Sequence, residues 1–257
     1  MSRWGGGTPA VTERDVAVLS WIGEQYGVRA DVVPVLLGQW ELHAGTLITT
    51  GTVSRWAGRN AVTRWQRAGL VTTRRLLGRT WVVPTRAGLT VAGLPYPAWE
   101  PKATTLGHVH AVGLVRLAVE PTIPAGGRWL GERALRRDLD AIRGPRAPGQ
   151  RRELGHLADA AIEAPEELSS WEAGAGAVPP PRVAIEVELT RKEHWRLPRI
   201  VGELRRSQYV RAVWFAPADV AGPLRALLAG AAGEAGKMGL EVRPLPEVAG
   251  LSYEVAR

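Results

Sequence analysis

The stretch VAIEVELTRKEHW, residues 183–195, constrains the fold more than any other part of the chain. Val183, Ile185, Val187 and Leu189 alternate with Ala184, Glu186 and Glu188, the period-two pattern of a strand with a buried apolar face. The alternation puts Glu186 and Glu188 together on the other face, about 6.6 Å apart along the strand. Two carboxylates at that spacing repel and resist joint ionisation. Their face needs a cation, an arginine or open water. Thr190, Arg191, Lys192 and Glu193 follow at once.

A third carboxylate lies upstream. GHLADAAIEA, residues 155–164, reads as another strand, with Asp159 set among small apolar residues. A hard divalent ion such as Mg²⁺ takes one or two carboxylates and keeps several waters. Asp159, Glu186 and Glu188 are therefore candidate ligands for Mg²⁺ or Mn²⁺. The downstream pattern predicts a helix over 197–209, a strand over 211–216, a helix over 223–232 opened by Pro223, and a strand at LEVRPL. Strands interleaved with helices suit a mixed sheet with helices on its faces.

Asp159 on one strand and Glu186-Val187-Glu188 on the next resemble the PD-(D/E)xK nuclease superfamily, in which an Asp and an acid-x-Lys triplet occupy those places. That resemblance implies a restriction-endonuclease-like domain with Asp159, Glu186, Glu188 and Lys192 as catalytic residues, the three acids holding the metal and Lys192 helping to orient the attacking water. Glu132, in the helix predicted after GGRWLG, matches the accessory first-helix acid of the superfamily. The chain departs from the pattern in having Glu188 where the Lys of acid-x-Lys stands and Ala158 where a proline precedes the Asp.

The first hundred residues carry a different signal. No Asp or Glu occurs between Glu41 and Glu100, while Arg55, Arg59, Arg64, Arg67, Arg74, Arg75, Arg79 and Arg86 all fall there. A solvated surface normally mixes both signs, so this stretch reads as a footprint for a polyanion. Thr12 caps a helix with acids in its first turn. A short helix follows over 30–37 with Pro34 inside it, and a third runs over 54–68. Trp56, Val62 and Trp65 are expected on the buried side of the third helix. Asn60, Arg64 and Arg67 share another side, with Arg55, Arg59 and Thr63 nearby. Leu70–Leu76 and Thr80–Pro84 form a hairpin with a glycine at its turn.

Three helices, a basic hairpin and a closing helix resemble the winged helix-turn-helix of bacterial regulators, carried by RWQRAGLVTTRRLLGRTWVVPTRAGL. That likeness implies double-stranded DNA as partner, with the third helix in the major groove and the wing on phosphates. Asn and Arg can read adenine and guanine edges bidentately.

PYPAWEPKA, residues 95–103, marks the seam between residues 1–96 and 97–257. His108 and His110 lie two apart on the helix predicted next, a spacing that does not put a metal pair on one face. The chain of 257 residues has no cysteine, which excludes disulfides and thiolate metal sites, and its net charge is +8. MSRWGGGTPA lacks the apolar core of a secretion signal, and no apolar run is long enough to span a bilayer, so a cytoplasmic location and no membrane partner are expected. GHLADAAIE and VAIEVELTRK together resemble the actinobacterial replication-relaxation family, found with plasmids and mobile elements. The family pairs a winged helix with a nuclease-like domain, an α+β arrangement overall. The expectation is a DNA-binding protein acting in replication or relaxation, either a metal-dependent endonuclease or nickase, or a non-catalytic regulator or origin binder. A homodimer is a further candidate assembly.

Overall fold

The structure is a computed structural model that describes residues 10–43, 46–47, 52–143, 156–164, 181–190, 195–207 and 209–253. It is a mixed α/β chain that divides into two compact units, Met1–Gly113 with Val248–Arg257, and Leu114–Glu247.

The first unit begins with α1 (Glu13–Glu24), followed by β1 (Val28–Arg29), α2 (Val33–Gly38) and a small pair of strands, β2 (Trp40–His43) and β3 (Thr46–Leu47). Then come α3 (Arg55–Arg67), β4 (Val71–Leu76), β5 (Arg79–Pro84), α4 (Arg86–Val91) and α5 (Ala103–Val119), which crosses the division between the units. The order in the larger sheet is β1-β5-β4, antiparallel throughout. Pro34 sits in the first turn of α2, where its missing N–H costs no helical bond. A Cβ on Gly58 would lie 2.6 Å from Pro34 Cγ, so the glycine inside α3 is what lets the two helices approach so closely.

Asp15 ties α1 to α3. It completes a capping box with Thr12 and is fully buried. Its Oδ1 accepts from Trp65 Nε1 at 2.9 Å and from the Arg64 guanidinium. Burial alone would raise the Asp15 carboxyl, but the hydrogen bonds from Thr12 and Trp65 and the charge of Arg64 outweigh it and hold it below its ordinary 3.8. Next to this unit's sheet, His110 of α5 meets Arg29 at 3.0 Å. Burial first, and then Arg29, push His110 down to about 4, so it is neutral at pH 7.

The second unit holds β6 (Arg128–Gly131), α6 (Glu132–Arg143), β7 (Ala160–Glu163), β8 (Arg182–Val187), α7 (Arg196–Arg206), β9 (Tyr209–Ala216), α8 (Ala218–Gly230), α9 (Ala232–Ala235) and β10 (Gly239–Pro244). Its sheet has the order β10-β9-β8-β7-β6. β7 runs antiparallel to both its neighbours, while β8, β9 and β10 are parallel. Ala161, Ala184 and Ala212 are cross-strand neighbours on one face, all fully buried. These small side chains leave room for Leu197, Val201 and Leu204 of α7, which complete the core with Trp214 and with Val220 and Leu224 of α8. α8 begins at Ala218 rather than at Pro223, so the proline lies inside the helix. Burial of Val220 and Ala221 against the core outweighs the one backbone bond that the ring removes.

Replacing Asp15 with Ala should lower stability by roughly 2–4 kcal/mol, because it leaves the Trp65 indole and Arg64 without their buried acceptor. A carboxyl held below its unfolded value stabilises above that value and loses the contribution as pH falls through its folded value. The stability gap between the parent and Asp15→Asn, measured by urea unfolding, should therefore be full at pH 7 and narrow below about pH 4.

Candidate functional site

Two sets of side chains stand out, one in each unit. In the first unit, Ser54 caps α3 by accepting from Ala57 N at 3.2 Å, and Ala61, Val62 and Trp65 turn inward. Arg55, Arg59, Asn60, Thr63 and Arg67 are exposed on the same helix. Arg74, Arg75 and Arg79 are exposed at the far end of the β4–β5 hairpin. Gln66 reaches from α3 to Thr73 of β4 at 2.9 Å, linking helix and hairpin.

Two expectations for α3 are corrected. Arg64 does not stand with the exposed arginines: it is half-buried and spent on Asp15, because α1 brings a buried carboxylate within its reach. Trp56, expected in the core, is 73% exposed, beside Arg55 and Arg59 in sequence. Helical spacing alone could not separate the two tryptophans. Trp65 has Asp15 as partner for its indole N–H, and Trp56 lies in the first turn of α3, outside the stripe made by Gly58, Ala61, Val62 and Trp65.

In the second unit, β8 is the third of five strands and is buried on both faces. Of the cation, arginine or open water expected beside Glu186 and Glu188, open water is corrected by their exposures of 2% and 5%. They lie on the face of Ala184, the face covered by α7 and α8, at the end of β8 where the parallel strands finish. Continuing the β7–β8 register brings Asp159 opposite Glu186. Alternation then places Asp159, Glu186 and Glu188 on one face.

Asp159 and Glu186 have protein partners. The Glu188 N–H reaches Phe215 O on β9 at 2.8 Å, so the Val187 N–H points the other way, toward β7. There β7 has ended, and Asp159 Oδ2 replaces the missing ladder carbonyl, accepting from Val187 N at 2.7 Å. Glu186 Oε1 lies 2.7 Å from His156 Nε2. The backbone N–H of His156 is in turn held by Glu203 of α7, which also accepts from Arg199 at 2.9 Å. Those bonds, the His156 one foremost, keep the Glu203 carboxyl below the usual range. His156 is the member of this cluster that sequence reasoning missed. Its position three residues before Asp159 was the available signal.

At the other end of the same face, Glu163 bridges Arg128 and Arg182 at 2.7 and 2.8 Å. Burial would raise its carboxyl, but the two guanidinium groups overcome that and lower it.

A hard cation needs carboxylate oxygens that converge on one point. Among the described residues, no three histidine, aspartate or glutamate side chains come together so as to hold a metal ion. In this arrangement Asp159 accepts from a backbone N–H and Glu186 lies against an imidazole. Glu132 opens α6 and pairs with Arg136 one turn along the same helix. Lys192 lies outside the described residues. Among the described residues, no helix is long and apolar enough to cross a membrane. Comparison of the chain with family models, with curated proteins and with solved structures finds no match.

Asp159→Ala removes the acceptor of the Val187 N–H and should cost about 1–3 kcal/mol in urea unfolding. Asp159→Asn keeps an acceptor oxygen there and should stay within about 1 kcal/mol of the parent.

Proposed function

We propose that this chain is a double-stranded-DNA-binding protein whose first unit grips the duplex as a winged helix-turn-helix. One observation carries the reading. The exposed side of α3 bears Arg55, Arg59, Asn60, Thr63 and Arg67, the hairpin adds Arg74, Arg75 and Arg79, and the sequence from Leu42 to Trp99 holds no acid to oppose them. The antiparallel β4–β5 hairpin directly after α3 supports it. α3 then lies in the major groove, with Asn60 and arginines at base edges, and the wing arginines bind phosphates. The likeness of GHLADAAIE and VAIEVELTRK to the replication-relaxation family points to a plasmid or mobile element as the setting. In this reading the protein is an origin or transfer-site binder, or a regulator, and the second unit has no catalytic part.

A second reading makes the chain a DNA endonuclease or nickase. Two observations favour it: the sheet follows chain order from β6 to β10 with β7 alone reversed, and three carboxylates share one face at the end of β8. The partners that occupy Asp159 and Glu186 weigh toward the first reading.

The two readings separate on one substrate. Supercoiled plasmid incubated with the full chain and Mg²⁺ or Mn²⁺ should be bound and left uncut. Nicking or linearisation that disappears in Asp159→Asn, a variant expected to fold, would instead establish the enzyme. Binding has its own measurement. Arg59→Ala and Arg67→Ala should each weaken duplex affinity by about 1–3 kcal/mol if they read bases, or reduce the salt slope by about one if they hold phosphates. Arg64→Ala should act chiefly on stability, through Asp15. An affinity that does not change with salt would overturn the reading.

A further inference from the structure

The tip of the β4–β5 hairpin is built against local preference. Leu76 pairs with Arg79, which leaves a two-residue turn of Leu77 and Gly78. Both residues have positive φ, 51° and 70°. Turns of this kind favour Asn, Asp or Gly at the first position, because a side chain there crowds the backbone. Leucine is a poor choice for that conformation. Burial does not repay the misfit, since Leu77 is 55% exposed. Tyr26, another non-glycine residue with positive φ in this unit, sets its ring at a tilt against Trp99, 5.5 Å between centroids. Arg75 and Arg79 flank Leu77 closely, and both are exposed. An apolar group at the extremity of a basic ribbon fits one occupant best, the interior of a polyanion whose surface is charged and whose core is apolar.

We propose that Leu77 is a wedge that enters the minor groove and parts a base step, with Arg75 and Arg79 on the bordering phosphates. The proposal rests on the DNA-binding reading and goes beyond it, since a wing resting on phosphates alone has no use for an apolar tip. Only the Leu77 side chain has to enter the groove of roughly 6 Å, with the backbone of the turn at its mouth. Inserted leucines of this sort unstack a step and bend the duplex toward the major groove. Bending, rather than affinity alone, is therefore the property that Leu77 supplies.

The test is ligase-driven ring closure of a duplex of about 120 bp, shorter than the ~150 bp persistence length, so that closure reports bending. The full parent chain should speed closure. Leu77→Asn should lower that stimulation about tenfold and weaken duplex binding only about threefold, with the salt slope unchanged because no cation is lost. It should also raise the melting temperature slightly, since Asn accepts this backbone conformation. Leu77→Met, which keeps the apolar reach, should retain most of the ring closure. Stimulation by Leu77→Asn equal to that of the parent, at unchanged salt slope, overturns the wedge and leaves DNA binding standing. Absence of salt-dependent duplex binding by the parent overturns both.

Discussion

The second unit is organised around a carboxylate buried in the middle of a sheet. Glu186 sits on a strand with neighbours on both sides and helices over its face, where an uncompensated charge is too costly to keep. His156 answers it, and that single contact fixes the start of the neighbouring segment on the end of β8. With His156 in place, Asp159 falls where β7 stops pairing, and its carboxylate closes the ladder at Val187. Glu203 then secures the His156 backbone from α7, so sheet and helix are joined at the same point. Asp159 and Glu186 thus each have a structural role. Any chemistry assigned to them must come from oxygens that these bonds leave over.

The first unit uses the same device for a different end. Asp15 is a buried acid at the start of α1 whose partners, Trp65 and Arg64, both belong to α3. Fixing that helix by its inner side holds its outer side rigidly exposed. Under the proposed function that rigidity matters, because a base contact depends on placement to within a fraction of an ångström. The acid lies inside and the arginines outside, so a local contact that would neutralise the basic face is absent from the stretch between Glu41 and Glu100.

Much of this was legible in the residues. α1, α3, α7 and the β4–β5 hairpin fall where their patterns place them, with the turn at Leu77-Gly78, while β1, β2 and β3 were not expected from the sequence. Glu186 falls on the face of Ala184, as alternation requires, and Asp159 reaches the end of the same strand through Val187 N. Three further features were not legible. The alternation of β8 left one face open to water as an alternative, but α7 and α8 pack over the face of Ala184 and bury Glu186 and Glu188. Trp56 and Trp65 carry the same side chain on the same helix, and what separates them is which one meets α1. Pro223 looks like a helix start until the packing of the preceding turn is known.

The sequence by itself determined where elements form and where charge accumulates, because both depend on neighbours two to four positions away along the chain. The tertiary structure alone decided which polar groups are spent and which remain. His156 finds Glu186 across 30 positions, and Arg64 finds Asp15 across 49. No local pattern encodes such pairs. They arise when the backbone closes over a buried charge and the nearest group able to bond it becomes its partner.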